Sequence, residues 1–409
     1  MRRRDISRVL FASAAGSMAP SARAAETRDG RDYAQTPAEA GISIADHSYE
    51  PGCVDRYGVN AEPGKTSMVQ AFNAAIKQAQ AGGAHVTYGS SAPYLLDAPV
   101  DCTFAGRAQQ HGVVIRNLGP TGFGQGMCGI VAKHRGVAVF DCTGTNVELH
   151  RVVIGTDATV YPQTGVLWAR NSTRGSLFCK MQYCAIVGKF SVAPFYNYGA
   201  EGGSLIDCYL TNYATTPNTK VAVWTANNIA GLQSIVPGVI ATGPQSQIDH
   251  NCFGNQYYNA GGTSTSDCIY LEQADSWKQF GGWAYSASLT ANGRALIYVD
   301  MTHAATNFAL IQGFTGENAA HLQSHGIYFS DHPATPVGWK VDSFRIPNAV
   351  SAIQAGETTT LDNFHIVNVS ELASHGLSVG GTLQNSIVHS PSLIIRIRNS
   401  KNNSLIGRS

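Results

Sequence analysis

Three short stretches bring acids and aromatics together at a regular spacing. Ile269-Tyr270-Leu271-Glu272 is followed 28 residues later by Ile297-Tyr298-Val299-Asp300, and 30 residues after that by Ile327-Tyr328-Phe329-Ser330. Side chains alternate sides along a strand, so Tyr270, Tyr298 and Tyr328 share a face with Glu272, Asp300 and Ser330. If the copies stack in register, the Glu272 and Asp300 carboxyls lie about one strand spacing apart, ~5 Å. A separation of ~5–5.5 Å suits a retaining glycosidase and ~6.5–9.5 Å an inverting one, for which Asp275 or Asp331 supplies the longer diagonal. Tyrosines beside acids suit sugar rings, whose C–H faces stack on aromatics while their hydroxyls bond to carboxylates. Glu272, Asp300, Asp275 and His303 are thus the catalytic candidates, and Tyr270, Tyr298 and Tyr328 the substrate-binding ones. The structural alternative is that the acids form turns and the tyrosines a packing ladder. Asp249 and His250, further substrate-binding candidates, form with Asp207 a second group in which His250 has general acid–base character. Lys278, Arg294 and His303 would instead serve a lyase, with Ca²⁺ or Arg neutralising a uronate carboxylate.

Earlier segments extend the pattern. Asp141, Ala169 and Thr225 are expected at the position of Glu272 and Asp300. Repeats of 20–50 residues indicate stacked supersecondary units. A second recurring line begins at Asn146, Gly175, Gly203, Ser246, Thr360 and Thr382, and each copy carries short period-2 strands with turn residues between. Such coils cannot bury their inner faces singly and must stack. The long step from 203 to 246 holds Pro217, Pro237 and Pro244, which predicts a protruding loop within 214–245. Ahead of the repeats, Met68, Phe72, Ile76 and Ala79 fall on one face of an amphipathic helix that Gly82-Gly83 ends. Pro63-Gly64-Lys65-Thr66 lacks the first glycine of a phosphate loop, since Val59 stands there.

This opening resembles the pectate-lyase-like superfamily, which includes rhamnogalacturonase/epimerase-like and tailspike-type proteins. The residues that carry the resemblance are Asp55-Arg56-Tyr57-Gly58, Ala71-Phe72-Asn73-Ala74-Ala75-Ile76, Gly82-Gly83-Ala84-His85-Val86-Thr87-Tyr88 and Tyr94-Leu95-Leu96. Tyr57 stands where Phe is usual, and Ser90-Ser91 where Pro-Pro is. The resemblance implies an all-β fold: a right-handed, single-stranded parallel β-helix of the pectin-lyase kind, capped by an N-terminal α-helix. It also raises a homotrimer, as tailspike-type members form. Ser324-His325-Gly326 and Ser374-His375-Gly376 replace the Gly-His-Gly of the polygalacturonases, and no Asp-Asp pair occurs, so no catalytic residue carries over.

The 409 residues are 44% hydrophobic and 13% charged, with a net charge of +1, which excludes a strong electrostatic attraction for nucleic acid. Arg2-Arg3-Arg4, the apolar run 9–15 and Ala22-Arg23-Ala24 read as a signal peptide of twin-arginine type over 1–24. The expected layout continues with a linker over 25–50, the cap over 51–100, the β-helix over 101–395 and a polar tail over 396–409. The chain is expected to be exported, periplasmic or secreted, and without stable membrane insertion. None of its nine cysteines forms a C-x-x-C pair, so no metal site is expected, and no cofactor beyond the Ca²⁺ of a lyase. An exported chain would oxidise some cysteine pairs, whose identity the sequence leaves open. The function expected is an exported glycoside hydrolase of the rhamnogalacturonase/pectate-lyase-like type acting on a polysaccharide. Two alternatives remain: a uronate polysaccharide lyase, and a non-catalytic glycan-binding or structural β-helix of tailspike-like kind.

Overall fold

The computed structural model describes residues 32–408 except 83–84, 104–111, 120–128, 145, 170–178, 200–202, 213–222, 227–255, 259–260, 265–267, 287–294, 303–304, 319–324, 347–348 and 372–374. The signal-peptide segment 1–24 lies outside the described residues. The chain winds as a parallel β-helix in which each coil contributes one strand to each of three stacks. A representative coil has Lys278–Phe280 in the first stack, Trp283–Ser286 in the second and Ala295–Asp300 in the third. Each strand pairs in parallel with its counterparts in the coils before and after. At the C-terminal end, His375–Gln384 and Ile387–Lys401 hydrogen-bond the first and third stacks into one 23-stranded sheet, and the second stack has ten strands.

The corner between the first and second stacks takes five residues in the first coil and twelve in the second, and is tight thereafter. In eight coils, from His150/Val153 to Val367/Ser370, two residues separate the strands. Where described, the first of the two takes a left-handed backbone, as in Arg151, Tyr183, Asp207, Gly313, Ser343 and Asn368. The second points inward and is buried at Val152, Cys184, Cys208, Phe314, Phe344 and Val369. A left-handed conformation costs a non-glycine residue roughly 1–2 kcal/mol. The corner offsets this by carrying the coil-to-coil hydrogen bonds onward: Arg151 N donates to Gln182 O (2.8 Å) and Tyr183 N to Ile206 O (2.9 Å). Connections on either side of the third stack vary in length from coil to coil.

Inward residues fill the bore in aligned rows. Phe140, Val166 and Phe195, and then Ile269, Ile297, Ile327 and Ile353, form one such row, with Val223 the backbone partner that joins Phe195 to Ile269. Aromatic pairs stack between coils, including Phe314–Phe344 (6.0 Å) and Trp339–Phe364 (6.1 Å). The helix α1, Val69–Gly82, closes the N-terminal end. Phe72 projects into the bore against Tyr88, Tyr94 and Phe140.

The structure departs from the expected layout in four places. Residues 33–50 are docked rather than a linker. Glu39 and Arg56 are fully buried and paired (Nε–Oε1 2.6 Å). Tyr57 also donates to Glu39 (2.9 Å), and Arg56 bonds to the carbonyls of Tyr49, Ala34 and Tyr33. A buried guanidinium must be matched by acceptors, which ties the strap down. The strands of the β-helix begin at Val86–Tyr88, inside the expected cap. Residues 396–408 are no free tail: Ile387–Lys401 and Ser404–Arg408 pair in parallel as the last rungs. Finally, Val223–Ala226, within the expected loop 214–245, is a strand of the third stack. The rest of that loop lies outside the described residues.

The second recurring line also slips. Thr360 and Thr382 are partners, but Glu148 pairs with Lys180 and Lys180 with Ser204, which moves the segment at 175 by three places and that at 203 by one. Inward Leu149, Met181 and Leu205 set the rung, while the intervening connections change length.

Hydrogen bonds from Arg56, Thr36 and Tyr57 hold the Glu39 carboxyl down at about 2 against the upward push of its burial. Its stabilising contribution is therefore complete above the ordinary value of 4.5 and disappears only as pH falls through about 2. Glu39→Ala leaves Arg56 buried and unpaired and is expected to lower stability at neutral pH by about 3–5 kcal/mol in urea unfolding.

Candidate active site

The outward side of the third stack carries two columns. In the first, Asp141, Leu167 and Tyr196, and then Tyr270, Tyr298, Tyr328 and Gln354, follow one another, with the backbone of Trp224 pairing between Tyr196 and Tyr270. In the second, two residues further along each strand, come Ala169, Tyr198, Ala226, Glu272 and Asp300. Glu272 and Asp300 are direct partners on adjacent coils, one strand spacing (~4.8 Å) apart in the backbone. The acid pair and the tyrosine row thus share one face in the expected register.

Other parts of the expected row differ. Asp141 stands in the aromatic column rather than the acidic one, and Ala226 rather than Thr225 precedes Glu272. The strands bend between two consecutive inward residues, Leu296 and Ile297, so counting from a strand's start misassigns parity. Tyr196 belongs to the aromatic column, and the apolar-then-aromatic pair Phe195-Tyr196 carries the same signal as Ile269-Tyr270.

The tyrosine rings contact one another. Tyr270 and Tyr298 lie 5.2 Å apart between centroids, and Tyr298 and Tyr328 stack at 5.6 Å and 8°. Tyr270 and Tyr298 are buried, at 9% and 5% exposed, and Tyr328 is half-buried. The rings cover each other and pack with Tyr196, Tyr198, Leu167 and Ala295 in an apolar cluster separate from the bore.

Donors converge on Asp300. The Tyr270 hydroxyl donates to its Oδ2. The backbone N (2.9 Å) and Oγ1 (2.6 Å) of Thr302 donate to its Oδ1. Glu272 beside it is 5% exposed. Burial raises the Tyr270 phenol far above its ordinary value, and the nearby negative charges of Asp300 and Glu272 raise it further. Tyr270 therefore stays a proton donor and orients Asp300.

Asp275 lies around the corner from this face. Its Oδ1 accepts from Asn307 N (2.6 Å) in the next coil, and burial raises its carboxyl. The carboxylate ties two corners together. His303, Asp249 and His250 lie outside the described residues. Among the described residues, no cluster of three or more His, Cys, Asp or Glu is placed to hold a metal. No helix there is long and apolar enough to cross a membrane.

His325 borders the ladder and was absent from the expected set. It starts the strand His325–Phe329, stacks on Tyr328 (5.2 Å) and bonds through Nδ1 to Ser351 Oγ (2.7 Å) on the next coil. Its signal was the recurrence of Ser-His-Gly at 324–326 and 374–376.

No protein-family profile matches the chain, and no curated protein is detectably similar in sequence. Among solved structures, the enzymatically active domain of tailspike protein 2 from bacteriophage CBA120 superposes with a TM-score of 0.53 at 9% identity. The match covers 82% of this chain and 47% of that one, so the chain spans about half the tailspike's length. Endo-xylogalacturonan hydrolase from Aspergillus tubingensis gives a TM-score of 0.45 at 10% identity, over 84% and 98% of the two chains. The catalytic domain of a GH87 α-1,3-glucanase gives 0.46 at 9%, over 86% and 66%. The tailspike likeness establishes a shared parallel β-helix.

Burial pulls His325 down to about 4 from its ordinary 6.5. The unfolded chain therefore binds this proton first, and stability falls as pH is lowered from about 6.5 to about 4. Melting temperature against pH should show a shallower acid limb in His325→Gln than in the natural chain. Parallel limbs would mean that the ring is not held neutral by the fold.

Proposed function

We propose that the protein is a polysaccharide-active β-helix, a glycoside hydrolase that works on the third face. The observation that carries this reading is the in-register pair Glu272–Asp300 beside a ladder of tyrosines. Paired carboxylates on adjacent coils supply what glycosidic cleavage needs, an acid for the leaving oxygen and a carboxylate for the anomeric side. Three donors make Asp300 the accepting member, as base or nucleophile, and Glu272 the proton donor. The single-coil spacing favours the retaining geometry. Tyr328, the half-buried end of the ladder, would offer the ring on which a sugar stacks, with Tyr298 and Tyr270 packed behind it.

A second reading, a glycan-binding β-helix without catalysis, is favoured by the low exposure of Glu272. Export through the basic and apolar N-terminal segment, and assembly as a homotrimer, belong to the proposal as well. Light scattering of the purified chain reads the latter.

Reducing-sugar release from a panel of pectic, bacterial and plant glycans tests the enzyme. Glu272→Gln and Asp300→Asn should each lower it by about 10²–10⁴-fold. Tyr328→Ala should act chiefly on KM. Unchanged rates in both acid variants would remove catalysis from this face. Release of an unsaturated sugar, seen by its ultraviolet absorbance, would mark a lyase. Retention by a glycan without cleavage of any would favour the binding module.

A further inference from the structure

The seven described cysteines are buried thiols, and four of them sit in two matched pairs. Asp101 and Asp141 are register partners, so Cys102 and Cys142, the next residues, face inward side by side on adjacent coils. The hydrogen bond from Cys102 N to Asp141 O (2.8 Å) continues the ladder through them. Ala185 and Tyr209 are likewise partners, and Tyr209 N donates to Cys184 O (2.8 Å), which sets Cys184 beside Cys208. Both of these follow the left-handed corner residue, Tyr183 in one coil and Asp207 in the next.

Neighbouring parallel strands stand ~4.8 Å apart. That lies within the 4.4–6.8 Å Cα separation which a disulfide spans. In each pair the two thiols also interact directly, Cys142 with Cys102 and Cys184 with Cys208, so the side chains turn toward each other. Cys179 also lies within electrostatic reach of Cys142, but Cys102 is the thiol that hydrogen-bonds to Cys142. Cys53 bridges Thr87, and Cys179 stands opposite Val147 and Gly203 in the ladder.

We infer that Cys102–Cys142 and Cys184–Cys208 are disulfide sites, each a covalent rung between consecutive coils, formed when the chain folds in the presence of a disulfide oxidant. A cysteine thiolate attacks an oxidised glutathione, releasing one reduced glutathione and leaving a mixed disulfide. The partner thiolate then displaces the second glutathione. Each rung thus costs one oxidised glutathione, yields two reduced ones, and takes two electrons and two protons from the thiols. Burial in the finished bore holds the Cys142 and Cys184 thiols protonated. Exchange requires the thiolate, so the bonds form while the coils are closing, and once buried they resist reductant.

The natural chain is expressed in a host with an oxidising cytosol and, in parallel, in a reducing one. Each sample is alkylated with N-ethylmaleimide in denaturant without reductant, digested and mapped by mass spectrometry. The oxidised sample is expected to yield both linked peptide pairs, Cys102–Cys142 and Cys184–Cys208. It should melt several degrees above the reduced one. Two results would overturn the assignment: nine alkylated cysteines in the oxidised sample, or a linkage joining any of the four to a different cysteine. Cys184→Ala should leave Cys208 alkylated and Cys102–Cys142 intact; loss of both rungs in that variant would also count against it.

Discussion

Everything in this molecule depends on the parallel backbone ladder that joins one coil to the next. A lone coil has an apolar inner side and nothing to bury it against. Stacking satisfies its amides and covers that side at once. Because the pairing is parallel and nearly unbroken, residues far apart in sequence are forced to fixed neighbours. The inward row from Phe140 to Ile353 and the outward row from Tyr196 to Tyr328 follow from the same constraint. So do the meeting of Glu272 with Asp300 and the matching of the cysteines.

The two ends show how such a ladder is closed. At the N-terminal end a helix inserts Phe72 into the bore, and a strap held by Glu39 and Arg56 lies beside it. At the C-terminal end no helix appears among the described residues. There two long strands cross from one stack to another and spend their polar, basic residues on the outer side.

How much of this was legible before the structure depended on side-chain volume. Ile-Tyr-apolar-acid repeats could be aligned correctly because β-branched, aromatic and charged positions recur together, and the register of Glu272 with Asp300 followed. The weaker line at Asn146, Gly175 and Gly203 slipped because short Val-x-Leu patterns match at several offsets. Asp141 was misplaced by two positions because its strand, Ala138–Asp141, stops two residues short of the point that Ala295–Asp300 reaches. Burial of the tyrosines was not legible, since it comes from ring-on-ring contact between coils and from Ala295 and Leu167 alongside. The docking of residues 33–50 was hidden for a similar reason: a polar, aperiodic segment reads as a linker until Glu39 is seen to neutralise Arg56.

The two-residue corner between the first and second stacks recurs unchanged through eight coils, while the chain lengthens and shortens on both borders of the third. This partitions the molecule into a conserved geometry and an adjustable one. An insertion at the tight corner would break the left-handed turn and the hydrogen bonds running through it. An insertion beside the third stack alters only what rises around the tyrosines and acids. The rim of that face is therefore the natural place to graft new loops, and selectivity for a different polymer could be engineered there without disturbing the register beneath.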